Sequence, residues 1–263
     1  MSVFMQLPLP AQGEFKTPGS DDFKFDGLFG IDWLNKPMLQ IFIAAVLVFL
    51  FWGLSSRNLK IVPGKGQFFA ESVYNYIRNG VGRDIMGPDF RRYIGLLVGI
   101  FTFILLNNWF GEFFFFMFPT FSNIGYVWGV VAFIFIAYVG AGFKQHGIGY
   151  LKKALIPEGI PWFLAFIIVP IEFISNFVTR PLTLAVRLFA NMFAGHLAVM
   201  VFTLGGAFLL TYSGNIAYNF AGFFSIVFSL VMMCLELFIG YLQAYIFTIL
   251  AAQYISSSVS ETH

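Results

Sequence analysis

The sequence predicts an all-α polytopic membrane protein with five membrane crossings and one amphipathic surface helix. Of its 263 residues, 59% are hydrophobic and only 11% are charged, whereas about a quarter of the residues in a soluble domain are charged. A soluble protein of this length would expose much of that apolar surface to water, and lipid is the solvent that tolerates it. Five apolar segments are long enough to cross a bilayer, which takes about 20 residues as a helix.

Charge and cysteine content exclude other classes of protein. The net charge is +2, and no cluster of lysine and arginine alternates with exposed aromatic residues, so we expect no nucleic acid partner. The single cysteine, Cys234, lies in an apolar run, which excludes a disulfide framework and a cysteine metal site. Glycine-rich phosphate loops, zinc-ligand spacings and Ser/His/Asp arrangements are absent from the sequence. We therefore expect no metal, no cofactor and no centre for covalent catalysis.

The chain divides into a polar tail, residues 1–36, and a single membrane domain, residues 37–263. The tail has five acids, three lysines and no apolar core, so it is not a cleavable signal peptide. The first span occupies 37–55, because the apolar run begins after Asn35-Lys36 and ends at Ser55-Ser56.

An amphipathic helix is predicted over residues 66–86. The surrounding segment, 57–92, contains seven lysines and arginines and three acids. Within it, apolar side chains recur at helical spacing, at Phe69, Val73, Tyr76 and Ile77. Such a helix lies either on the membrane surface or against the rest of the protein, and the pattern is compatible with both.

Two further spans, 93–118 and 126–143, form a tight hairpin, because no charged residue lies in the turn between them. The segment after them, 144–159, is polar and contains three lysines. Basic segments stay on the inner side of a membrane, so this segment and residues 57–92 are expected inside. The N-terminus then lies outside and the C-terminus lies inside.

The last hundred residues contain two apolar runs of unusual length. Residues 162–211 are interrupted only by four ionisable residues and two prolines, and residues 216–257 only by Glu236. A forty-residue helix is about 60 Å long, twice the hydrocarbon core of about 30 Å. Since neither run contains a cluster of turn residues, we expect two long, strongly tilted helices joined in a hairpin. Hydrophobic mismatch produces only modest tilt, so this arrangement requires a protein partner.

Ionisable and amide side chains lie at membrane depth in this hairpin. A charge at the bilayer centre costs a few kcal/mol or more, so such residues usually line a water path or have a partner. If the turn centres near residue 215, antiparallel helices place Arg187 opposite Gln243 and His196 opposite Glu236. Asn191 lies one turn from Arg187, on the same face. The hairpin therefore contains two polar layers, separated by about 13 Å along the helix.

The two layers differ in chemistry. Arginine keeps its proton in proteins, so Arg187 cannot relay protons and instead attracts carboxylates. Histidine titrates near neutrality, and burial raises the proton affinity of a glutamate. The pair His196–Glu236 is therefore a candidate proton wire, and Arg187 is a candidate electrostatic gate. Gln243 has either a role in this path or a purely interhelical one, and Glu172 and Glu112 are either interfacial anchors or acids at a channel mouth.

Three segments of the sequence resemble subunit a of F-type ATP synthases. The most specific is the arginine motif, and the downstream Gln-Ala-aromatic pattern supports it. The resemblance extends from about residue 37 to the end of the chain. The three matching segments are Arg180-Pro181-Leu182-Thr183-Leu184, Arg187-Leu188-Phe189-Ala190-Asn191-Met192-Phe193-Ala194-Gly195-His196 and Glu236-Leu237-Phe238-Ile239-Gly240-Tyr241-Leu242-Gln243-Ala244-Tyr245-Ile246-Phe247.

This resemblance implies a mechanism that the residues alone do not. In the family, two long tilted helices lie against a rotating ring of c subunits, and protons pass through two half-channels to and from the ring carboxylates. The resemblance makes Arg187 the arginine that separates the half-channels, with Asn191 and Gln243 as its polar neighbours. His196 and Glu236 then belong to the inlet half-channel. Some family members have these two residues exchanged between the helices, which supports direct contact.

The resemblance also implies partners and a location. The expected partners are the c-ring, b-type subunits of the peripheral stalk, and indirectly the soluble sector, with protons as the transported ion. The expected location is an energy-transducing membrane, the bacterial plasma membrane rather than the mitochondrial inner membrane. The chain itself is not expected to have a catalytic site.

One position departs from the family pattern. Many members carry a carboxylate a few residues after an asparagine in the second span. Here Asn108 is present, but the aligned position is Gly111, with Glu112 beside it. Either Glu112 substitutes for that carboxylate, or the path is built differently.

A stand-alone secondary transporter or channel is the alternative function. Such proteins often contain repeated halves with interrupted helices, and this sequence has no repeat. A membrane enzyme would need a nucleophile or a metal set, which the sequence lacks.

Overall fold

The computed structural model describes residues 17–23, 27, 35–57, 59–113, 118–156, 162–212 and 216–259. Within these residues every regular element is helical. Five helical stretches are long and apolar enough to cross a membrane, which confirms the all-α polytopic fold. The helices are, in chain order, α1 Lys36–Arg57, α2 Lys65–Ile77, α3 Asp84–Met86, α4 Phe90–Phe110, α5 Ile124–His146, α6 Gly149–Leu155, α7 Trp162–Ile174, α8 Arg180–Tyr212 and α9 Ile216–Val259.

Helix α1 contacts the remaining helices through a few polar anchors. The side chain of Asn35 accepts a hydrogen bond from Met38 N at 3.1 Å, and so caps the first turn. The indole of Trp52 donates to Thr102 of α4 at 3.2 Å. Near the other end of α1, the buried Gln40 accepts from Thr120. Most of the apolar surface of α1 remains exposed, as expected for a helix that faces lipid.

The segment from α2 to α3 divides into two halves with different surroundings. A π-helical stretch, Arg78–Arg83, joins α2 to α3, and Gly87 then ends the helix with a φ of +58°. Ile77 and Val81 are fully buried, because this half packs against α4 and α9. Phe68 and Phe69 in the first half are exposed. The second half therefore packs against the rest of the protein, and a position of the exposed first half on the membrane surface stays a prediction.

The end of α4 lies close to the residues that precede α5, and these residues in turn contact α1 near its start. Asn123 caps α5 by accepting from Gly125 N at 3.0 Å. Gly111, just after α4, lies against Pro119, since a Cβ at this glycine would stand 3.3 Å from Pro119 Cα. The absence of a side chain at Gly111 therefore lets the two ends of the hairpin approach closely.

The last two helical runs are as long as the sequence predicts. Helix α7, the π-helical stretch Ser175–Thr179 and α8 form one continuous run from Trp162 to Tyr212. Helix α9 has 44 residues, which corresponds to about 66 Å. Both exceed the thickness of a hydrocarbon core of about 30 Å by a wide margin.

Helices α8 and α9 pack antiparallel. Their backbones cross at Gly206 and Gly222, where a Cβ on Gly222 would stand 2.8 Å from the carbonyl oxygen of Gly206. Ser225 Oγ donates to the carbonyl of Phe202 at 2.7 Å. Small residues at such crossings permit close helix packing in membranes. This packing places Glu236 beside Gly195 and His196, at the end of the polar region of α8.

The core of the molecule surrounds the C-terminal half of α9. Helices α4, α5 and α8 and residues 78–86 all contact this half. The N-terminal half of α9 contacts mainly α8 and exposes most of its other surface. Glu236 lies at the boundary between the two halves. The residues of α9 that are fully buried in the core are Ala244, Phe247, Thr248, Ala251, Ala252 and Ile255.

Candidate proton-transfer site

Three titratable side chains from three different segments meet at this boundary. They are Glu112, directly after α4, His196 of α8 and Glu236 of α9, and all three are buried. His196 Nδ1 lies 3.7 Å from Glu112 Oε1. One nitrogen or oxygen atom from each residue lies within 4.8 Å of the other two. The structure therefore places His196 beside Glu236 and adds Glu112, and we call these three residues the acid–histidine cluster.

Glu236 reaches the cluster because its neighbour on α8 is a glycine. A Cβ at Gly195 would stand 2.8 Å from Glu236 Oε1 and 3.0 Å from its Cδ. The carboxylate therefore lies directly on the backbone of α8, one residue before His196. Any larger residue at position 195 would displace it.

Two side chains of α4 hold Glu112 against α9. Asn108 Nδ2 donates to the carbonyl of Gly240 at 2.9 Å, and the indole of Trp109 donates to the carbonyl of Leu237 at 3.1 Å. These carbonyls belong to the turn of α9 that follows Glu236. Both hydrogen bonds therefore join the end of α4, close to Glu112, to the part of α9 that carries Glu236. The backbone N–H of Glu112 in turn donates to Trp109 O at 3.0 Å. Asn108 therefore lies next to the cluster and holds the end of α4 against α9.

Several polar atoms of the cluster have no hydrogen-bond partner among the described residues. They are Glu112 Oε1, His196 Nδ1 and both carboxylate oxygens of Glu236. A buried polar atom without a partner costs about 1–3 kcal/mol. Ionisable groups are retained at such a cost inside membrane proteins mainly where they exchange protons or ions. The cluster can accept, hold and release a proton.

The same three groups offer a limited set of metal ligands. An imidazole and two carboxylates are chemically suitable for a divalent cation such as zinc. Their ligand atoms are separated by up to 4.8 Å, whereas bonds to zinc are about 2.0–2.2 Å long, so the side chains would have to move together.

Arg187 lies on the opposite surface of α8. Leu184, Ala185 and Leu188 are buried against the rest of the chain, whereas Arg187 is exposed. Its guanidinium has no hydrogen bond or ion pair with any other described residue. Thr183, Ala190 and Ala194 are also exposed, at the spacing of one helix face. We call Thr183, Arg187, Ala190 and Ala194 the arginine face.

The two amide side chains near Arg187, Gln243 and Asn191, differ in how deeply they are buried. Gln243 is buried, and its Nε2 atom has no partner among the described residues. Asn191 is partly buried, one turn after Arg187. The hairpin register brings Gln243 close to the level of Arg187, but no hydrogen bond joins the two side chains in the described part of the chain.

Glu172 lies far from the acid–histidine cluster. Its carboxylate accepts a hydrogen bond from Asn176 Nδ2 at 3.2 Å, and the same nitrogen donates to the carbonyl of Ala154. The 24 residues between Glu172 and His196 correspond to about 36 Å along the helical run. Glu172 therefore lies near the end of the molecule to which α6 belongs, and it does not contribute to the cluster.

A further residue at the cluster, Phe23, has no distinguishing signal in the sequence. It lies in the polar tail, and it is one of 37 phenylalanines. In the structure its ring centroid is 6.2 Å from that of His196 and 4.8 Å from that of Phe193. Only tertiary contacts bring this residue to the site, and local sequence patterns do not report them.

Comparisons with known proteins agree on one family. Residues 38–256 match the family described as ATP synthase A chain. A protein named ATP synthase subunit a from Nocardioides sp. is 41% identical over 259 residues, covering 97% of this chain and 94% of that protein. Proteins of the same name from Pseudarthrobacter chlorophenolicus and Streptomyces lividans are 38% and 37% identical. The first covers 96% of this chain and 97% of the relative, and the second 95% and 89%.

Proposed function

The chain belongs to the ATP synthase A chain family, and from this premise we propose that it is the stator subunit that couples proton flow to rotation of a c-ring. In this proposal the arginine face lies against the ring, and two aqueous half-channels end at the ring on either side of Arg187. The chain performs no covalent chemistry. It delivers protons to ring carboxylates and removes them.

The position of Arg187 is the observation that carries this proposal. An exposed arginine on a long apolar helix has no partner among the described residues, and we assign its countercharge to another molecule. The small side chains of Ala190 and Ala194 beside it let another helix approach closely. A carboxylate on a membrane helix of a neighbouring subunit fits this surface in charge and in shape.

We assign the delivery of protons to the ring to the acid–histidine cluster. Glu112, His196 and Glu236 exchange a proton among three buried groups, and two of them, His196 and Glu236, lie on the same hairpin as Arg187. The distance from His196 to Arg187 along α8 is nine residues, or about 13 Å. A proton that leaves the cluster binds a ring carboxylate, which carries it through nearly a full rotation and releases it into the other half-channel before that carboxylate meets Arg187. The guanidinium then stabilises the deprotonated carboxylate and, because it keeps its own protons, blocks direct passage between the half-channels.

The proposal includes an orientation and a set of partners. The bacterial relatives and the membrane helices are consistent with a bacterial plasma membrane, with the N-terminus outside and the C-terminus in the cytoplasm. The cluster lies near the turn between α4 and α5, at the end proposed to face outward, so it belongs to the inlet half-channel. The partners are the c-ring, b-type stalk subunits and, through them, the soluble sector.

The substitution Arg187→Ala tests the gate. We expect it to abolish ATP synthesis driven by a proton gradient in proteoliposomes that contain the whole complex, while all subunits still purify together. Arg57→Ala is the matched control, since Arg57 is another exposed arginine at the end of α1. Normal synthesis with Arg187→Ala would exclude the gate.

The alternative function makes a different prediction for the purified chain. A stand-alone transporter or channel would move protons across liposomes that contain this chain and no other subunit. We expect no such flux without a ring and stalk. Proton flux by the chain alone would contradict the stator assignment.

A further inference from the structure

The described part of the N-terminal tail contains a compact turn that ends in Phe23. The N–H of Gly19 donates to the carboxylate of Asp22 at 2.8 Å, and the N–H of Asp22 donates to the carbonyl of Gly19 at 3.2 Å. Residues 20–23 then form a single 3₁₀ turn. Asp22 is exposed, but Phe23 is only 5% exposed. The turn therefore presents one buried aromatic side chain to the membrane domain.

Phe23 is buried against aromatic side chains that surround His196. Its ring centroid is 4.8 Å from that of Phe193 and 5.6 Å from that of Phe118. The ring of Phe118 is 5.8 Å from the imidazole in an edge-on arrangement, and the ring of Phe23 is 6.2 Å from it. Two apolar rings thus lie against the histidine, and one of them, Phe23, comes from the tail.

The covered side faces the outward end of the molecule. Phe118 lies in the turn between α4 and α5, its carbonyl accepts from Gln40 near the start of α1, and the ammonium of Lys36 lies over its ring. The cluster itself forms where Glu112, two residues after α4, meets His196 of α8 and Glu236 of α9. The ring of Phe23 therefore lies beside His196 on the side next to this end of the molecule.

We propose that Phe23 controls access from the outer aqueous phase to the acid–histidine cluster. This inference rests on the proposed function, because it assigns a role to the tail at the inlet of the same proton path. An apolar ring cannot transfer a proton, and it excludes water from the groups that it covers. Movement of this ring, or of the turn that holds it, opens the cluster to water. Phe23 is thus a positioning residue and not a proton carrier.

The test measures how fast diethylpyrocarbonate modifies His196 in the whole complex. Mass spectrometry of the peptide that contains His196 gives the rate, and His146 at the far end of α5 gives an internal reference in the same sample. We expect Phe23→Ala to raise the His196 rate several-fold relative to the His146 rate. Phe23→Leu retains much of the apolar cover and is expected to raise it less. Phe49→Ala is the matched control, since that ring is 81% exposed on α1.

Two outcomes would overturn the inference. An unchanged ratio of the His196 rate to the His146 rate in Phe23→Ala would mean that the ring does not limit access. A parallel increase at both histidines would mean that Phe23 supports the fold in general. ATP-driven proton pumping by the same preparations reports on the proposed function separately, because the modification rates do not depend on rotation.

Discussion

Glycine at position 195 determines how closely the carboxylate of Glu236 can approach α8. A Cβ there would stand 2.8 Å from an oxygen at the end of a flexible side chain. Glu236 can move away from it at little cost to the fold, but it then leaves its place beside His196. The side chain at position 195 therefore affects proton transfer more than stability.

The corresponding prediction concerns Gly195→Ala. We expect the complex to assemble normally and its ATP-driven proton pumping to fall several-fold, as measured by quenching of a pH-sensitive dye in proteoliposomes. Gly140→Ala on α5 is the control, because a Cβ at Gly140 meets no atom within 4 Å. Pumping equal to that of the control would show that the position of the Glu236 carboxylate is not critical.

A second prediction at the residue scale tests the pair His196–Glu236. The exchange His196→Glu with Glu236→His keeps one imidazole and two carboxylates in the cluster, because Glu112 is unchanged. We therefore expect the double variant to retain more proton-driven ATP synthesis than His196→Ala or Glu236→Ala. Synthesis rates for the single and double variants form a cycle that measures the coupling. Damage that simply adds up in the double variant would contradict contact between the two side chains.

Counting residues pairs two members of this cluster, the family resemblance adds Glu112 as one of two alternatives, and nothing in the sequence points to Phe23. His196 and Glu236 lie on two helices joined by a short turn, so counting residues from the turn is enough to bring them together. Glu112 lies after a different helix, and Phe23 lies in the tail. Their positions depend on long-range contacts, such as the hydrogen bond from Asn108 to Gly240, which no local pattern encodes.

At the scale of elements, the crossing of Gly206 and Gly222 sets the spacing of α8 and α9. Here a Cβ on Gly222 would stand 2.8 Å from a backbone carbonyl oxygen. A backbone atom cannot move away by itself, so the whole helices would have to separate. This distinguishes Gly222 from Gly195, where the obstacle is a flexible side chain.

Gly222→Ala is accordingly expected to reduce stability. Overpacking of this kind typically costs about 1–3 kcal/mol, and we expect a lower midpoint of thermal inactivation of the purified complex. Gly195→Ala and Gly140→Ala serve as comparisons and are expected to leave this midpoint close to that of the unsubstituted protein. A midpoint for Gly222→Ala within the range of these two would contradict the close crossing.

The helices differ in how far the sequence predicts their surroundings. The run 216–257 is apolar throughout and contains no cluster of turn residues, so it predicts one long helix. Helix α9 is such a helix, with 44 residues. The surroundings of the segment from α2 to α3 are harder to predict, because an apolar stripe with Phe69 and Ile77 can pack against either lipid or protein. Ile77 is fully buried and Phe69 is exposed, a division that depends on where α9 packs.

At the scale of the whole molecule, the chain presents one polar face that its own described residues leave without a partner. The C-terminal half of α9 is enclosed by other helices, whereas the arginine face of α8 remains open. Helices α8 and α9 are also longer than a hydrocarbon core of about 30 Å is thick, so the tilted hairpin that we propose for them needs support beyond lipid. Both points support the proposal that a ring of helices packs along α8.

Cysteine cross-linking can locate that partner. In a Cys234→Ser background, which removes the exposed native thiol, we expect Ala194→Cys to form a disulfide with a cysteine placed beside the carboxylate of a c-subunit helix. The control is Ala185→Cys on the same helix, since Ala185 is completely buried against the rest of the chain. Oxidation followed by non-reducing electrophoresis should give the cross-linked product for position 194 only. ATP-driven proton pumping should also stop in the cross-linked complex, because a covalent bond between α8 and the ring stops rotation. Cross-linking at position 185, or continued proton pumping by the cross-linked complex, would place the ring on another face of the molecule.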